Sequence, residues 1–302
     1  MSDPAVPVPS EVETLDASLL RRFPLPDHPD DGDKEDRGRL LVIAGSRELA
    51  GAALLAGVAG LRAGAGKLQI ATSESISIPL AVAVPEARVI PLRETEEGCI
   101  AEAEIEALLK YVEGAKAVVI GCGLQHGAPL DELLDALLGC GADLPLVLDA
   151  AVLGSLSERA GLLKAWKGGA IVLPHSGEMA RLLDCDAEEV AADPLGAARR
   201  AADTLGVTAV IKGQYSHIVS PDGRAFRFKG GGVGLATSGS GDTLAGIVGG
   251  LCARGAQPLT AALWGVYLHG EAGRRLSASV GRVGFLAREL LDLVPPLMEG
   301  RG

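Results

Sequence analysis

The chain has 302 residues, of which 48% are hydrophobic and only 3% aromatic. This length allows one large domain or two small ones, with a core built from small aliphatic side chains. The net charge of -11 argues against a nucleic-acid-binding protein, because no cluster of lysines and arginines in the sequence offers a local basic surface.

Residues 1–36 predict an N-terminal arm that is only partly ordered. Prolines recur along this segment, and an acidic run at residues 30–33 follows them. A segment of this composition cannot bury a core of its own. We expect the arm to order against the domain or against a neighbouring subunit.

The cysteines and the N-terminal pattern predict a cytoplasmic protein without a membrane segment. The five cysteines are far apart and form no C-x-x-C pair, which is typical of unpaired thiols in a reducing compartment. The N-terminus lacks the basic stretch followed by an apolar one that marks a secretory signal. The most apolar window, residues 50–65, is interrupted by glycines and Arg62, so we expect no membrane span.

From residue 37 onward apolar strands and helices alternate, which predicts one domain over residues 37–302. Strands are expected at Leu40–Ala44, Lys67–Ala71, Ala117–Ile120, Pro145–Leu148, Ala170–Leu173 and Ala209–Ile211, with a hairpin at Ile218–Val219 and Ala225–Phe228. Helices are expected at Ala50–Gly64, Leu130–Leu138, Ala198–Leu205, Leu244–Arg254, Leu259–Leu276 and Phe285–Leu293. This alternation is typical of an α/β fold, in which a mostly parallel sheet carries helices on both faces.

Polar and glycine residues recur just after the predicted strands. They are Gly45 and Ser46, residues 121–123, Asp149, residues 175–178, and Lys212 with Gly213. In an open parallel sheet these strand ends face one crevice, where ligands bind. Each residue has an ordinary alternative as a turn, a helix cap or a surface residue, but their shared placement predicts a ligand site.

The segment Thr237–Thr243 is the most informative motif, because glycines and serines lead directly into the apolar run Leu244–Val248. Small residues let the backbone approach a ligand, and the amide groups at a helix start bind phosphate with the help of the helix dipole. Asp242 would then be the base that takes a proton from a substrate hydroxyl, whereas the alternative role is only to cap the helix. The predicted anion hole consists of the amides of Gly239, Ser240 and Gly241.

Several blocks of the sequence form a recognisable set. They are Gly45-Ser46, Gly51-Ala52-Ala53, residues 62–66, Pro174–Leu183, Lys212-Gly213, Gly234–Asp242 and Gly265–Gly270. Together they resemble the ADP/ATP-dependent NAD(P)H-hydrate dehydratases of the ribokinase-like superfamily, over a span from about Lys34 to Leu293. The combination of Gly234–Asp242 with Pro174–Met179 is specific, whereas a G-x-G-D motif alone also fits sugar and vitamin kinases.

The resemblance implies a ribokinase-like three-layer sandwich and a metabolite-repair reaction. The family acts on the S-epimer of hydrated NADH or NADPH (NADHX or NADPHX), which carries a hydroxyl on C6 of the reduced nicotinamide ring. A nucleotide phosphorylates this hydroxyl, and the ring nitrogen then expels phosphate, which restores the dihydropyridine. By position, the resemblance places the hydrate at Ala52, Gly123, His175 and Asp242. It places the nucleotide at Lys212, Gly213, Gln214, Tyr215, Ser216 and Gly241.

The same resemblance implies Mg²⁺ as the ion that neutralises phosphate charge, with ADP preferred over ATP as the phosphoryl donor. The ADP preference depends on residues 51–55 and 66–68, which are most similar to the bacterial branch of the family. The sequence identifies no metal ligands. The proline-rich arm predicts a homo-oligomer, with a tetramer among the expected forms. Because the arm is too short for the epimerase domain often fused ahead of this module, we expect the epimerase to be a separate protein.

Two alternatives stay open. A small-molecule kinase of the same superfamily would act on a vitamin-precursor alcohol and leave the phosphate on its product, although the Pro174–Met179 block argues against it. A nucleotide-binding protein without turnover is suggested by Ala151, which stands where the family has a second acid. We interpret Cys122 and His269 as packing residues, and Glu178 as a first-turn acid with a structural role.

Overall fold

A computed structural model describes residues 11–28 and 31–300. Within this part, ten strands form one sheet. The strands are β1 (Val12–Thr14), β2 (Arg39–Ile43), β3 (Lys67–Ser73), β4 (Ala87–Leu92), β5 (Ala117–Ile120), β6 (Leu146–Leu148), β7 (Ala170–Val172), β8 (Thr208–Ile211), β9 (Tyr215–Val219) and β10 (Ala225–Lys229). Their order across the sheet is β1-β10-β9-β8-β7-β6-β5-β2-β3-β4. All neighbouring pairs are parallel except those of β9 with β8 and with β10.

The central strands are buried on both faces of the sheet. In β2, Leu40 and Val42 face one hydrophobic core, whereas Leu41 and Ile43 face the other. Because successive side chains of a strand point to opposite faces, a strand of this kind has a continuous apolar sequence. Two cores on the two faces of one sheet make three layers, which confirms the predicted α/β sandwich.

Helices cover both faces. They are α1 (Ala17–Leu20), α2 (Ala50–Arg62), α3 (Glu74–Ala83), α4 (Ile105–Glu113), α5 (Ala128–Gly139), α6 (Ala160–Ala165), α7 (Ser176–Leu183), α8 (Ala187–Ala192), α9 (Pro194–Leu205), α10 (Ser240–Ala253), α11 (Pro258–Ser279) and α12 (Val294–Met298). Side chains of α2, α10 and α11 fill one core, and those of α4, α5 and α9 fill the other. Among the described helices, none combines the length and the apolar character that crossing a membrane requires.

Helix α10 packs backbone to backbone against α2. A Cβ atom at Gly246 would lie 2.1 Å from Ala56 O, and one at Gly250 would lie 2.3 Å from Gly60 O. Only glycine permits such an approach. This contact fixes the position of α10, and therefore of its N-terminus, relative to α2.

The predicted strands and most predicted helices are confirmed, but the C-terminal helix is not. The sequence predicts an α-helix over Phe285–Leu293, whereas the structure has a 3₁₀ helix over Ala287–Leu293 that continues into α12. Pro295 and Pro296 lack the N–H groups that would bond to carbonyls one turn earlier. Without those bonds the residues before the prolines form 3₁₀ turns, and an α-helix begins only at Val294, with the prolines in its first turn.

Between residues 74 and 113 the structure adds α3, β4 and α4, for which the sequence analysis makes no prediction. Pro79 lies inside α3, and β4 is an edge strand that contains Pro91. Prolines are unfavourable in helix interiors and in central strands, so they weaken the periodic pattern by which α3 and β4 would be recognised.

The described part of the predicted arm is packed on the domain. Strand β1 pairs with β10 at one edge of the sheet, and Leu15, Leu19 and Leu20 are buried in a core. The Trp264 indole donates to Phe23 O at 2.7 Å, which holds the segment further along. Residues 1–10 and 29–30 of the arm lie outside the described residues, and the division of the chain at residue 36 stays a prediction.

Candidate active site

Five strands bring polar residues together at one end of the sheet. Strands β8, β7, β6, β5 and β2 are consecutive parallel neighbours, so the residues that follow them share one edge. The Gly45 amide donates to Cys122 O at 2.8 Å, and the Lys212 amide donates to Pro174 O at 2.9 Å. The structure therefore brings together the strand-end residues that the sequence analysis singled out.

The N-terminus of α10 opens onto this crevice. Gly239 precedes the helix with a φ of 85°, in the left-handed region that favours glycine. A Cβ atom at Gly241 would lie 3.3 Å from Lys212 Nζ and 3.7 Å from Asp149 Oδ2. Glycine at this position leaves room for a ligand between the helix start and two charged side chains.

The predicted anion hole needs one correction. The Ser240 amide, expected to be part of it, donates to Thr237 O at 3.2 Å and is not available to a ligand. Within the described residues, the amides of Gly239, Gly241 and Asp242 have no such partner, as the first turn of a helix requires. Ser240 can therefore serve a bound anion only through its hydroxyl.

Asp242 lies in the first turn of α10 and does not cap it, because the N-cap residue is Gly239. Burial raises the pKa of the Asp242 carboxyl above its ordinary value, and the negative charge of Asp149 raises it further. A hydrogen bond with the Cys122 thiol and the charge of Lys212 oppose this rise. A carboxylate with a raised pKa is a better proton acceptor than an ordinary aspartate.

Cys122 is fully buried beside Asp242. Burial raises the pKa of its thiol well above the ordinary value, and the charges of Asp149 and Asp242 act in the same direction. The thiol is therefore protonated and unreactive as a nucleophile, in agreement with its interpretation as a packing residue.

Lys212 and Asp149 form a buried ion pair next to the start of α10. Lys212 Nζ lies 3.0 Å from Asp149 Oδ1 and 3.9 Å from Glu178 Oε2. The Asp149 side chain is 2% exposed and the Lys212 side chain 22%. Burial acts to lower the pKa of Lys212, but the two carboxylates outweigh burial and raise it. Lys212 therefore keeps its positive charge beside the anion hole.

His175 is the N-cap residue of α7, and its side chain is exposed. Its Nδ1 accepts hydrogen bonds from the amides of Gly177 at 3.0 Å and Glu178 at 3.4 Å. Glu178 Oε2 accepts in return from the His175 amide at 2.8 Å, which completes a capping box. With Nδ1 used as an acceptor, the neutral ring carries its proton on Nε2, and the side chain is 57% exposed. Capping and contact with a substrate are compatible roles.

Ala52 and Gly123, both predicted to contact the hydrate, lie against each other. Gly123 has a φ of 65°, and a Cβ atom there would lie 2.6 Å from Ala52 Cβ and 2.9 Å from Leu49 O. The absence of a side chain at Gly123 lets the loop after β5 approach the start of α2. The loop after β5 therefore lies directly against the start of α2, which follows β2.

The predicted nucleotide segment begins at Lys212 and crosses from β8 into β9. Gly213 and Gln214 are exposed in the turn between the strands, whereas Tyr215 and Ser216 are the first residues of β9. The Tyr215 ring lies under two cations of β10, at 5.2 Å from the Arg227 guanidinium and 5.8 Å from Lys229 Nζ. The segment therefore combines an exposed turn with a fixed aromatic ring.

Three residues outside the predicted site belong to it in the structure. Asp149 and Glu178 contact Lys212, and His269 contacts Ser240. Asp149 had a detectable signal, because it directly follows a buried strand, and Glu178 and His269 lie in sequence blocks that the resemblance already contained. None of these contacts could be inferred from spacing along the chain.

The arrangement fits a metal ion that is shared with phosphate groups. Within the described residues, no group of three or more histidine, cysteine, aspartate or glutamate side chains is arranged to hold a metal. Mg²⁺ is commonly held by one or two carboxylates together with the phosphates of a substrate. Asp149, whose Oδ2 faces Gly241, flanks the anion hole and matches that pattern.

Comparison with known proteins agrees with this geometry. The family model described as NAD(P)H-hydrate dehydratase matches residues 40–296. The chain is 44% identical over 289 residues to the ADP-dependent (S)-NAD(P)H-hydrate dehydratase of Xanthomonas campestris, covering 95% of this chain and 96% of that relative. It is 35% identical over 274 residues to the bifunctional NAD(P)H-hydrate repair enzyme of Moorella thermoacetica, covering 91% of this chain but 52% of that longer relative.

Solved structures give the same result. The ADP/ATP-dependent NAD(P)H-hydrate dehydratase of Bacillus subtilis, co-crystallised with ATP and Mg²⁺, is 29% identical and superposes with a TM-score of 0.81, covering 97% of this chain and 100% of that one. A hydroxyethylthiazole kinase of Pyrococcus horikoshii, 19% identical with a TM-score of 0.56 over 92% of this chain and 91% of that one, shares the fold. The family match over most of the chain and the 44% identity to the Xanthomonas campestris relative show that this chain belongs to the NAD(P)H-hydrate dehydratase family.

Proposed function

We propose that this protein is a nucleotide-dependent dehydratase that converts the S-epimer of hydrated NADH or NADPH back to NADH or NADPH. The observation that carries the proposal is the position of Asp242, whose pKa is raised, in the same helical turn as the unused amide of Gly241. A base next to an anion site can deprotonate a hydroxyl while the phosphoryl group that it attacks is held in place.

In the first step, Asp242 accepts the proton of the C6 hydroxyl as the hydroxyl oxygen attacks the terminal phosphorus of the nucleotide. A new O–P bond forms, and the bond from that phosphorus to the bridging oxygen breaks, so that ADP leaves as AMP. The amides of Gly241 and Asp242 and the Lys212 ammonium stabilise the charge on the phosphoryl group during transfer.

In the second step, the lone pair of the ring nitrogen expels phosphate. The bond between C6 and oxygen breaks, C5 loses a proton to water, and the double bond between C5 and C6 forms. Phosphate is a much better leaving group than hydroxide, which is why the hydroxyl is phosphorylated first. The same amides that hold the phosphoryl group then stabilise the departing phosphate.

Mg²⁺ is the ion we propose for this site, and when bound it would neutralise part of the phosphate charge. Asp149, whose Oδ2 faces Gly241, would hold it together with the nucleotide phosphates. Support comes from the Bacillus subtilis relative, which was co-crystallised with ATP and Mg²⁺.

ADP is the donor we propose in preference to ATP. The Xanthomonas campestris relative is named as ADP-dependent. A fixed distance between the Lys212–Ser216 segment and Gly241 can align only one terminal phosphoryl group, and an error of about 1 Å in placement can cost on the order of a hundredfold in rate. A higher kcat/KM with ATP than with ADP on the same hydrate preparation would contradict this choice.

The test is an assay with purified S-hydrate of NADH. Protein and ADP should restore the near-ultraviolet absorbance of the dihydropyridine, with AMP and phosphate formed in equal amounts. Release of AMP with a phosphorylated product but no recovered absorbance would identify a kinase instead. Nucleotide binding without any product would favour the alternative of a binding protein without turnover.

Three further properties are part of the proposal. Association of identical chains is supported by Ile78 and Val82, which lie one turn apart on α3 and are 75% and 77% exposed. A monomeric mass in light scattering at micromolar concentration would contradict it. A cytoplasmic location is supported by the cysteine pattern, and fractionation of cells would test it. An epimerase supplied as a separate protein is supported by the Xanthomonas campestris relative, 96% of which is covered by the match, and an assay on mixed epimers would test it.

A further inference from the structure

Helix α11 runs beside α10 and carries His269 near its middle. His269 Nε2 lies 2.9 Å from Ser240 Oγ. Ser240 is the first residue of α10 and is only 5% exposed. His269 is only partly exposed, which agrees with its interpretation as a packing residue, but packing alone does not account for this polar contact.

The hydroxyl is the one group of Ser240 that a bound anion can use, since its amide is bonded to Thr237 O. A hydroxyl has a single proton to donate, and rotation about its C–O bond decides where that proton points. A ring nitrogen at 2.9 Å restricts this rotation. The direction of the Ser240 proton therefore depends on whether the His269 nitrogen donates or accepts.

In one of its two neutral tautomers the His269 ring can donate to Ser240 Oγ. Burial lowers the pKa of His269 to about 4, and the positive charge of Lys212 contributes to this lowering. The ring is therefore neutral near pH 7 and has one N–H group. When the proton is on Nε2, the ring donates to Ser240 Oγ and leaves the hydroxyl proton free for a bound anion.

We propose that His269 is a positioning residue for phosphoryl transfer. Its Nε2–H donates to Ser240 Oγ, so that the Ser240 hydroxyl proton points away from α11 and donates to an oxygen of the phosphoryl group held at the start of α10. The inference rests on the proposed function, and it assigns to His269 a role exerted through Ser240 rather than by contact with the substrate.

A double-mutant cycle of Ser240→Ala, His269→Leu and the combined variant tests the inference. Each single variant should lower kcat by about tenfold and leave KM for the hydrate unchanged, because each removes the same oriented donor. The combined variant should also lose about tenfold. A loss of about a hundredfold in the combined variant would mean that the two residues act independently, and the inference would be wrong.

His269→Gln separates positioning from packing. A glutamine side chain keeps an N–H donor near the position of Nε2, so kcat should stay within about threefold of the original protein. If His269→Gln lost as much activity as His269→Leu while its thermal midpoint stayed unchanged, donation to Ser240 would be excluded. If His269→Leu does not fold, the combined variant with Ser240→Ala and His269→Gln takes its place. Its kcat should equal that of Ser240→Ala alone.

Failure of the proposed function can be told apart from failure of this inference. Turnover by the unmodified protein tests the function alone, and the cycle then tests the pair alone. If the unmodified protein does not turn over the hydrate, the same four proteins are compared by calorimetry for their affinity for ADP. Non-additive losses of ADP affinity would support coupling between Ser240 and His269, and additive or absent losses would overturn the inference.

Discussion

Lys212 Nζ lies 3.0 Å from Asp149 Oδ1, although the two residues are 63 positions apart in the chain. Their strands, β8 and β6, are separated in the sheet by β7. The pair stands beside Gly241, so the first turn of α10 faces a positive charge that is itself held by a buried carboxylate. The ion pair restricts the conformations of the Lys212 side chain and so keeps its ammonium group at the phosphate site.

Removal of the lysine should be costly for stability. Lys212→Met leaves Asp149, 2% exposed, without its partner, and we expect the free energy of unfolding to fall by about 3 kcal/mol in urea denaturation. The combined variant Lys212→Met with Asp149→Asn should recover part of that loss, because no buried charge is left unpaired.

A matched control for this prediction is Lys110→Met. Lys110 pairs with Glu106 at 3.6 Å on the exposed face of α4, and a surface pair of this kind contributes less than about 1 kcal/mol. Equal losses for the two lysine variants would show that the Lys212 pair is no more important to folding than a surface ion pair.

Asp242→Asn should abolish turnover and leave nucleotide binding largely intact. The amides at the start of α10 survive the substitution but the base does not, so kcat should fall by a hundredfold or more, on the order expected for loss of a general base. Steady-state kinetics and ADP titration measure the two effects separately. Asp203→Asn, at an exposed position of α9, is the control, and near-normal kcat in Asp242→Asn would remove the base assignment.

The pH profile of kcat should reflect the environment of Asp242. Because burial and Asp149 raise the pKa of this carboxyl, protonation should begin to lower kcat at a higher pH than an ordinary aspartate would allow. In Asp149→Asn the acidic limb of the profile should move to lower pH. If the acidic limb did not move, the charge of Asp149 would have no effect on the pKa of Asp242.

Gly123→Ala should damage the hydrate site more than the fold. The new methyl group would lie 2.6 Å from Ala52 Cβ at a φ of 65°, so we expect a higher KM for the hydrate and an unchanged affinity for ADP. Gly141→Ala is the control, because Gly141 has a φ of 75° and no atom within 4 Å of its added Cβ. Backbone strain alone would affect both variants equally, and that result would argue against a role of Gly123 in the site.

Acid should destabilise the fold in part through His269. Burial lowers the pKa of His269 to about 4 in the folded protein, from 6.5 for an unperturbed histidine. Between these two pH values the unfolded chain therefore binds a proton that the folded chain does not. Stability is therefore lost as pH falls from about 6.5 toward 4, by about 2 kcal/mol between pH 7 and pH 5. In urea denaturation, the free energy of unfolding should fall less between pH 7 and pH 5 for His269→Gln than for the original protein. Equal falls would mean that His269 does not make this contribution.

Strand ends and the start of α10 could be predicted from the sequence because their signals are local. A continuous apolar run followed by Asp149 or Lys212 marks a buried strand and its end, and small residues before Asp242 mark a helix start. The sequence could not predict which of these residues are in contact, because side-chain contacts across the sheet depend on strand order. The order β8-β7-β6-β5-β2 decides that Lys212 meets Asp149.

Other features depend on how two elements lie side by side. The contact of His269 with Ser240 is set by the relative shift of α10 and α11 along their axes, and periodicity within each helix contains no information about that shift. The pairing of β1 with β10 joins residues more than 200 positions apart, and the proline-rich composition around β1 gave no strand signal. The hydrogen bond that removes the Ser240 amide from the anion hole is likewise visible only in the folded chain.

The glycine contacts between α2 and α10 have a consequence for how the site can move. Because Gly246 and Gly250 touch the backbone of α2 directly, there is no intervening side chain to bend, and the two helices can shift only as one rigid body. Ala52 lies in α2 and Asp242 in α10, so these two residues keep a constant separation. Any closing motion around a bound nucleotide must therefore come from segments other than α2 and α10.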